Sequence, residues 1–162
     1  MSADTYDYVV VGAGSAGCVL ANRLTANPSV RVCLVEGGGS DNSVRVRVPA
    51  GILSLYGNPN YDYCFLGVPQ PHLDNRRIPV NRGKALGGSS SINSMVYIRG
   101  AAQDYDEWSR LGCTGWAYSD VLPIIRKLER NLLGQDPHYH GTSGELLVDS
   151  PRDPNVLSKM FV

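Results

Sequence analysis

The sequence predicts an α/β fold, and three observations between Tyr8 and Glu36 carry that prediction. Tyr8-Val9-Val10-Val11 is a β-branched run that reads as a buried strand. Gly12-x-Gly14-x-x-Gly17 follows at once, and Ser15 to about Ala26 suits a helix with Ala16, Val19, Leu20 and Leu24 on one face. Asn27-Pro28-Ser29 stops that helix, and Val30 to Val35 reads as a second strand ending at Glu36. Together these residues predict a Rossmann-like βαβ unit, the arrangement in which a parallel sheet carries a dinucleotide.

Each residue of the turn has a physical task in this reading. Gly12 allows the tight exit from the strand, Gly14 lets backbone N–H groups approach a pyrophosphate, and Gly17 lets the helix pack on the sheet. Ser15 and Ala16 open the helix, whose unpaired N–H donors and partial positive charge favour phosphates. Glu36 lies about 22 residues after Gly14, where a carboxylate accepts hydrogen bonds from ribose hydroxyls and repels a 2′-phosphate. The unit therefore disfavours NADP, and by itself it does not separate FAD from NAD.

The composition narrows the class. With 162 residues, one ordinary domain is the starting expectation. Lys+Arg and Asp+Glu are equal at 15 each, so no charge excess points to nucleic acid or an anionic membrane. No apolar run approaches the roughly 20 residues of a transmembrane span. The acidic N-terminus runs straight into a strand, which predicts no secretory signal, and the cysteine usage fits a reducing, cytoplasmic setting. Cys18, Cys33, Cys64 and Cys113 show no CxxC or metal-ligand spacing, and the first two read as buried thiols. Gly 18 and Pro 10 are high counts, so much of the chain beyond Glu36 is expected to be loop that wraps something large or packs against parts outside this sequence.

Beyond the βαβ unit the elements are short. Gly37 to Ser43 is a flexible loop, either at the ligand-facing edge of the sheet or plain surface. Val44 to Tyr63 reads as irregular, with one helical turn at Ile52, Leu53, Leu55 and Tyr56. Tyr61, Tyr63 and Phe65 alternate as a strand would, and Arg76 to Val80 reads as another after the Leu73-Asp74-Asn75 turn. In Asn81 to Gly100, Gly83, Gly87 and Gly88 precede three serines. Their backbone suits an anion-binding nest, Lys84 adds a cation, and Ser89 to Ser91 add hydroxyl donors. Ile92, Met95, Val96 and Ile98 then form an apolar pattern that belongs in a core.

The last third reads as mixed helix and loop. Asp104 caps a helix to about Leu111, and Asp106-Glu107 read as solvated or capping. Ser119 is a good N-cap for a helix from Asp120 to about Arg130, with Pro123 in its first turn and Val121, Leu122, Ile125 and Leu128 facing inward. His138 and His140 have HxH spacing but no third ligand, so no metal site is expected. Glu145 to Val148 reads as a strand, and Val156 to Val162 as a helix start.

The two glycine stretches together resemble the glucose–methanol–choline (GMC) family of flavin oxidoreductases. Gly12-Ala13-Gly14-Ser15-Ala16-Gly17, then Ala21-Asn22-Arg23-Leu24 and Glu36, is the generic part. Gly83-Lys84-x-Leu86-Gly87-Gly88-Ser89-Ser90-x-Ile92-Asn93, then Tyr97, Gly100 and Asp106, is similar to that family's first signature throughout. Asp104 to Trp108, Gly115 to Pro123 and His140-Gly141 to Val148 also resemble family segments, nearest the choline-dehydrogenase-like branch.

The resemblance implies FAD as cofactor and oxidation of a small-molecule alcohol, with a hydride passing to flavin N5. Gly12, Gly14 and Gly17, with Ser15 and Ala16, would hold the pyrophosphate, and Glu36 the adenosine ribose. Gly83, Lys84, Gly87, Gly88, Ser89 and Ser90 would approach the flavin and pyrophosphate. Asn93, Ser94, Met95 and Val96 would line the isoalloxazine. Ile92 stands in the run where some members carry a flavin-linking His, which implies non-covalent FAD. Gly37 replaces the Ala common after the acid.

The family's catalytic His lies far beyond position 162, and none of His72, His138 or His140 matches it, so no catalytic residue is assigned. The expected organisation is an incomplete GMC fold. Residues 1–115 would supply irregular flavin-wrapping segments of the FAD-binding domain, and 116–162 would begin a substrate-binding cap. The alternative is a truncated, non-catalytic FAD-binding piece that needs a partner or a C-terminal remainder.

Overall fold

A computed structural model describes residues 5–151, 153–156 and 160. Helices and short strands are mixed along the chain, consistent with an α/β class, and the chain divides into two compact units, residues 1–96 and 97–162. The helix expected over Val156 to Val162 lies largely outside the described residues.

In the first unit, β1 (Tyr8–Val11) and β2 (Val32–Val35) pair in parallel, Tyr8 opposite Val32 and Val11 opposite Val35. Asp7 pins the edge of the pair, its Oδ2 accepting from the Arg31 N–H at 2.7 Å. Helix α1 (Ser15–Leu24) lies between them in sequence. The Asn27-Pro28-Ser29 stop forms as an Asx turn, with the Ser29 N–H 3.0 Å from Asn27 Oδ1.

The expected burial of this unit is not what the structure shows. Val9 and Val11 are 62% and 83% exposed, and Val19 and Leu20 on the apolar face of α1 are half-exposed. A two-stranded sheet has no flanking strands, so β-branched side chains that read as core remain at its surface. Cys18 is likewise exposed and Cys33 only half-buried, so the expectation of two buried thiols fails.

The stretch read as irregular carries more order than its sequence announces. Ser43 caps a one-turn helix α2 (Val44–Arg47), its hydroxyl accepting from the Arg45 N–H, and a 3-10 helix runs Pro49–Ser54. Leu55 behind it is 2% exposed. Two-residue strands β3 (Phe65–Leu66) and β4 (Pro79–Val80) pair antiparallel across a turn whose Asp74 and Asn75 both have φ 54°. Further 3-10 turns span Pro71–Leu73 and Gly88–Ser91. Of the apolar residues after the latter, Ile92 is buried at 2% exposed, while Met95, Val96 and Ile98 are exposed, against expectation. That run forms no regular element.

In the second unit, α3 (Ala102–Arg110) begins where Asp104 Oδ2 accepts from the Ala101 N–H at 3.0 Å. Helix α4 (Tyr118–Leu128) starts earlier than expected: its N-cap is Ala117, and Asp120 Oδ2 accepts from the Ala117 N–H. Asp106 on α3 accepts from the Tyr118 N–H at 2.9 Å. These two carboxylates supply the capping that Ser119 was expected to give, which moves Pro123 into the second turn. The helix also ends sooner, because Glu129–Asn131 forms β5, which pairs in parallel with β6 (Leu146–Val148). Val121 and Val148 are the buried apolar residues of this unit among those described. No helix among the described residues is long and apolar enough to cross a membrane.

Candidate functional site

The glycine turn after β1 is built as its spacing requires. Gly12 has φ +94° and continues the β ladder through its N–H to Val35 O at 2.7 Å. Gly14 is the N-cap of α1, and no side chain caps the helix and no acid stands in its first turn. The first-turn N–H groups therefore meet no side-chain cap, and the positive end of the helix dipole lies there. A Cβ at Gly17 would overlap the Gly12 carbonyl, so this close packing admits only glycine. At Gly14, by contrast, the space a Cβ would occupy is open.

The second glycine stretch folds directly against the first. Gly87 donates its N–H to Ala13 O at 2.8 Å, and Gly14 and Gly87 form a parallel bridge. Gly88, at φ +56°, comes so close that a Cβ there would stand 2.9 Å from Gly14 Cα. The loop after β2 joins from the other side: the Leu86 N–H reaches Gly39 O at 2.9 Å, and a Cβ on Gly38 would overlap the Lys84 backbone. Ala13 and Ala85 are sealed inside this junction. Residues from three separate stretches thus meet in front of α1.

Polar groups at the junction are partly committed. Glu36 accepts from the Ala13 N–H at 2.7 Å and the Gly38 N–H at 2.8 Å, one bond per carboxylate oxygen, which leaves lone pairs on both. Gly88 gives its N–H to Ala85 O, so the N–H groups of Gly87 and Gly88 are spent on the fold rather than on an anion nest. Ser90 and Ser91 likewise donate their hydroxyls to Gly87 O and Leu86 O, both at 2.6 Å. Ser89 Oγ accepts from the Gly83 N–H at 3.1 Å. Lys84 Nζ stands 5.7 Å from the centre of the Tyr63 ring. The uncapped first turn of α1, the Lys84 ammonium and the Ser89 hydroxyl proton remain as donors at this junction.

Asn93 to Val96 form an exposed run beyond the buried Ile92. Met95 has φ +57°, a strained state for a side-chain-bearing residue, held by its N–H to Asn93 Oδ1 at 3.0 Å. Beside this run lies a cleft of about 290 Å³, closed on its other side by α2 and the first 3-10 helix.

Two polar centres were not visible in the sequence. Asp62, 1% exposed, accepts from the N–H groups of Gly57, Cys64 and Arg82 and from Asn81 Nδ2. Burial pushes its pKa up, but these donors outweigh burial and hold it well below the ordinary aspartate value. In the second unit, Glu129 is wholly buried and pairs with the Arg99 guanidinium, with Asn131 Nδ2 and His140 Nδ1 each at 3.0 Å and the Gly141 N–H at 3.1 Å. Here too burial raises the pKa, while His140, Asn131, Gly141 and the Arg99 charge together lower it. Arg99 also donates to Tyr139 O at 2.6 Å. His140 is thus taken up by a carboxylate, and no cluster of three or more metal-ligating side chains occurs among the described residues.

Comparison with known proteins places this architecture. The sequence model of a family described as GMC oxidoreductase matches residues 6–162. An alcohol dehydrogenase [acceptor] of Pseudomonas putida is 50% identical over 157 residues, 97% of this chain and 28% of that protein. An oxygen-dependent choline dehydrogenase of Sinorhizobium fredii is 44% identical over 96% of this chain and 28% of its own length. Among solved structures, pyridoxine 4-oxidase from Mesorbium loti superposes with a TM-score of 0.88 at 34% identity, covering 97% of this chain and 31% of that one. An FAD-dependent oxidoreductase from Chaetomium thermophilum gives 0.85 at 31% identity, over 96% of this chain and 28% of that one. The chain therefore spans under a third of the length of these relatives.

Proposed function

The chain belongs to the GMC oxidoreductase family, and from that premise we propose that it holds FAD for a flavin-dependent alcohol oxidoreductase. The observation that carries this reading is the contact of the two glycine stretches in front of α1. The open space at Gly14 lies where a side chain would meet a pyrophosphate, and the uncapped helix end supplies donors there. These residues fit the dinucleotide that the family uses.

In this reading Ser15, Ala16 and Gly17 bind the pyrophosphate through their N–H groups. Glu36 accepts from the adenosine ribose with the lone pairs that Ala13 and Gly38 leave it. Gly83 to Ser90 form the wall of the cradle, and Asn93, Ser94, Met95 and Val96 present backbone to the isoalloxazine. The strained Met95 supports a positioning role for that run. FAD, when bound, supplies a hydride acceptor for oxidation of a CH–OH group. Ile92 carries no nucleophile and is buried, which supports non-covalent attachment. Residues 1–115 would belong to the Rossmann-like FAD-binding part and residues 116–162 would begin the substrate-binding part. The substrate class is a small alcohol, as the names of the relatives indicate for those proteins. No residue described here is assigned as the base that takes the hydroxyl proton.

Glu36→Arg tests the cofactor site. The chain is loaded with FAD, passed through gel filtration and scanned for flavin absorbance. The expected outcome is flavin carried by the unaltered chain, released on acid precipitation, and bound about tenfold more weakly by the variant. Equal retention by Glu36→Arg would remove Glu36 from the ribose site, and no retention by either form would defeat the FAD reading.

A further inference from the structure

The alcohols oxidised by enzymes of this kind differ in one decisive property: some are uncharged and some carry a permanent cation. We propose that the cleft beside Asn93 and Met95 receives the tail of an uncharged alcohol and disfavours a quaternary ammonium group. This inference rests on the reading of residues 93–96 as the flavin-lining run, because the cleft shares Asn93 and Met95 with that run.

The cleft walls carry Arg45 and Arg47, and Asp41 is the one acid among them. Two guanidinium groups thus stand against one carboxylate among the residues of the lining, and the local charge is net positive. No aromatic ring lines the cleft among the described residues. A quaternary ammonium group, which has no proton to lose, is stabilised by carboxylates or by aromatic faces. Here it would meet a single carboxylate outnumbered by guanidinium groups. Beside Ser90, Ser91 and Asn93, the lining also offers an alkyl tail the apolar side chains of Ile52, Leu55 and Met95.

The backbone turn that bears the arginines is fixed in place rather than a loose loop. Ser43 caps the turn that bears them, and Tyr61 donates its hydroxyl to Ser43 Oγ at 3.0 Å. Gly51 packs so tightly on the Arg45 backbone that a Cβ would overlap its carbonyl. The cationic wall and the apolar wall are therefore held by the same local packing.

The test compares choline with its uncharged carbon isostere, in which a tert-butyl group replaces trimethylammonium. Both are titrated into the full chain with its flavin content recorded, and binding is read from the NMR signals of the Ile52, Leu55 and Met95 methyls. The expected result is saturable binding of the isostere about tenfold tighter than choline at low salt, shrinking as salt screens the arginines. The double variant Arg45→Gln/Arg47→Gln should bring the two ligands within about twofold. Equal or tighter choline binding, a preference that survives the double variant, or no saturable shift with either ligand would each overturn the proposal. Flavin content separates it from the cofactor reading: a chain that takes up FAD yet shows no preference overturns this proposal alone, whereas a chain that takes up no FAD overturns both.

Discussion

Asp62 and Glu129 are both carboxylates sealed from solvent, and the chain satisfies them in opposite ways. The four donors on Asp62 are uncharged: three backbone N–H groups and the Asn81 amide. Glu129 instead pairs with a guanidinium, with His140, Asn131 and the Gly141 N–H around it. The first device gathers backbone from three places in sequence and so shapes loops. The second is a buried ion pair, whose desolvation cost is large and whose value depends on keeping both partners. A carboxylate that organises backbone can lose its charge and keep some of its bonds. One that answers a buried cation cannot.

Removing Glu129 should therefore have the largest effect. Glu129→Ala leaves the Arg99 guanidinium, 15% exposed at its side chain, without its carboxylate, and should lower stability by about 3–5 kcal/mol in urea unfolding. A loss smaller than that of an Asp62 variant would break the comparison. Asp62→Asn ranks next, at about 2 kcal/mol, because one amide NH₂ must then face former donors.

The pH dependence of Asp62 sharpens the same point. Its folded pKa is depressed, so its contribution is complete above the unfolded carboxylate range and is lost as pH falls toward the folded value. The urea midpoint of the unaltered chain should fall below about pH 4, and Asp62→Asn should fall less steeply. Parallel curves would show that Asp62 is not the group involved. The smallest effect belongs to Glu107, paired with Arg110 on the exposed face of α3. Glu107→Gln should leave the urea midpoint unchanged within error, since a solvated pair is screened.

The contrast also marks what the sequence could say. The Gly12–Gly17 turn, the stop at Asn27-Pro28 and the turn at Asp74-Asn75 were legible because each rests on local backbone geometry. The Gly83–Asn93 stretch was legible as unusual and, through resemblance, as part of the same site. Its contact with Gly14 is long-range, and no spacing rule announces it. Asp62 and Glu129 were missed for the same reason: a lone acid between tyrosines, or at a helix end, looks solvated until distant donors converge on it. The strands β1 and β2 were misjudged in burial rather than in kind. A β-branched run reports a preference for pleated backbone, and what covers it is decided elsewhere in the fold. Ser119 lost the cap of α4 to Asp106 and Asp120, a competition that reads plainly only once both side chains have positions.

The bridge between Gly14 and Gly87 has one more consequence. It closes a loop of roughly 70 residues, at an entropic cost on the order of 4 kcal/mol. A ligand that touches both glycine stretches acts as a clasp on that loop, so part of its binding energy goes into keeping the loop shut. Occupancy and local order in residues 14–87 are then two readings of a single equilibrium. Weakening the clasp at either glycine stretch would loosen backbone far from the altered residue.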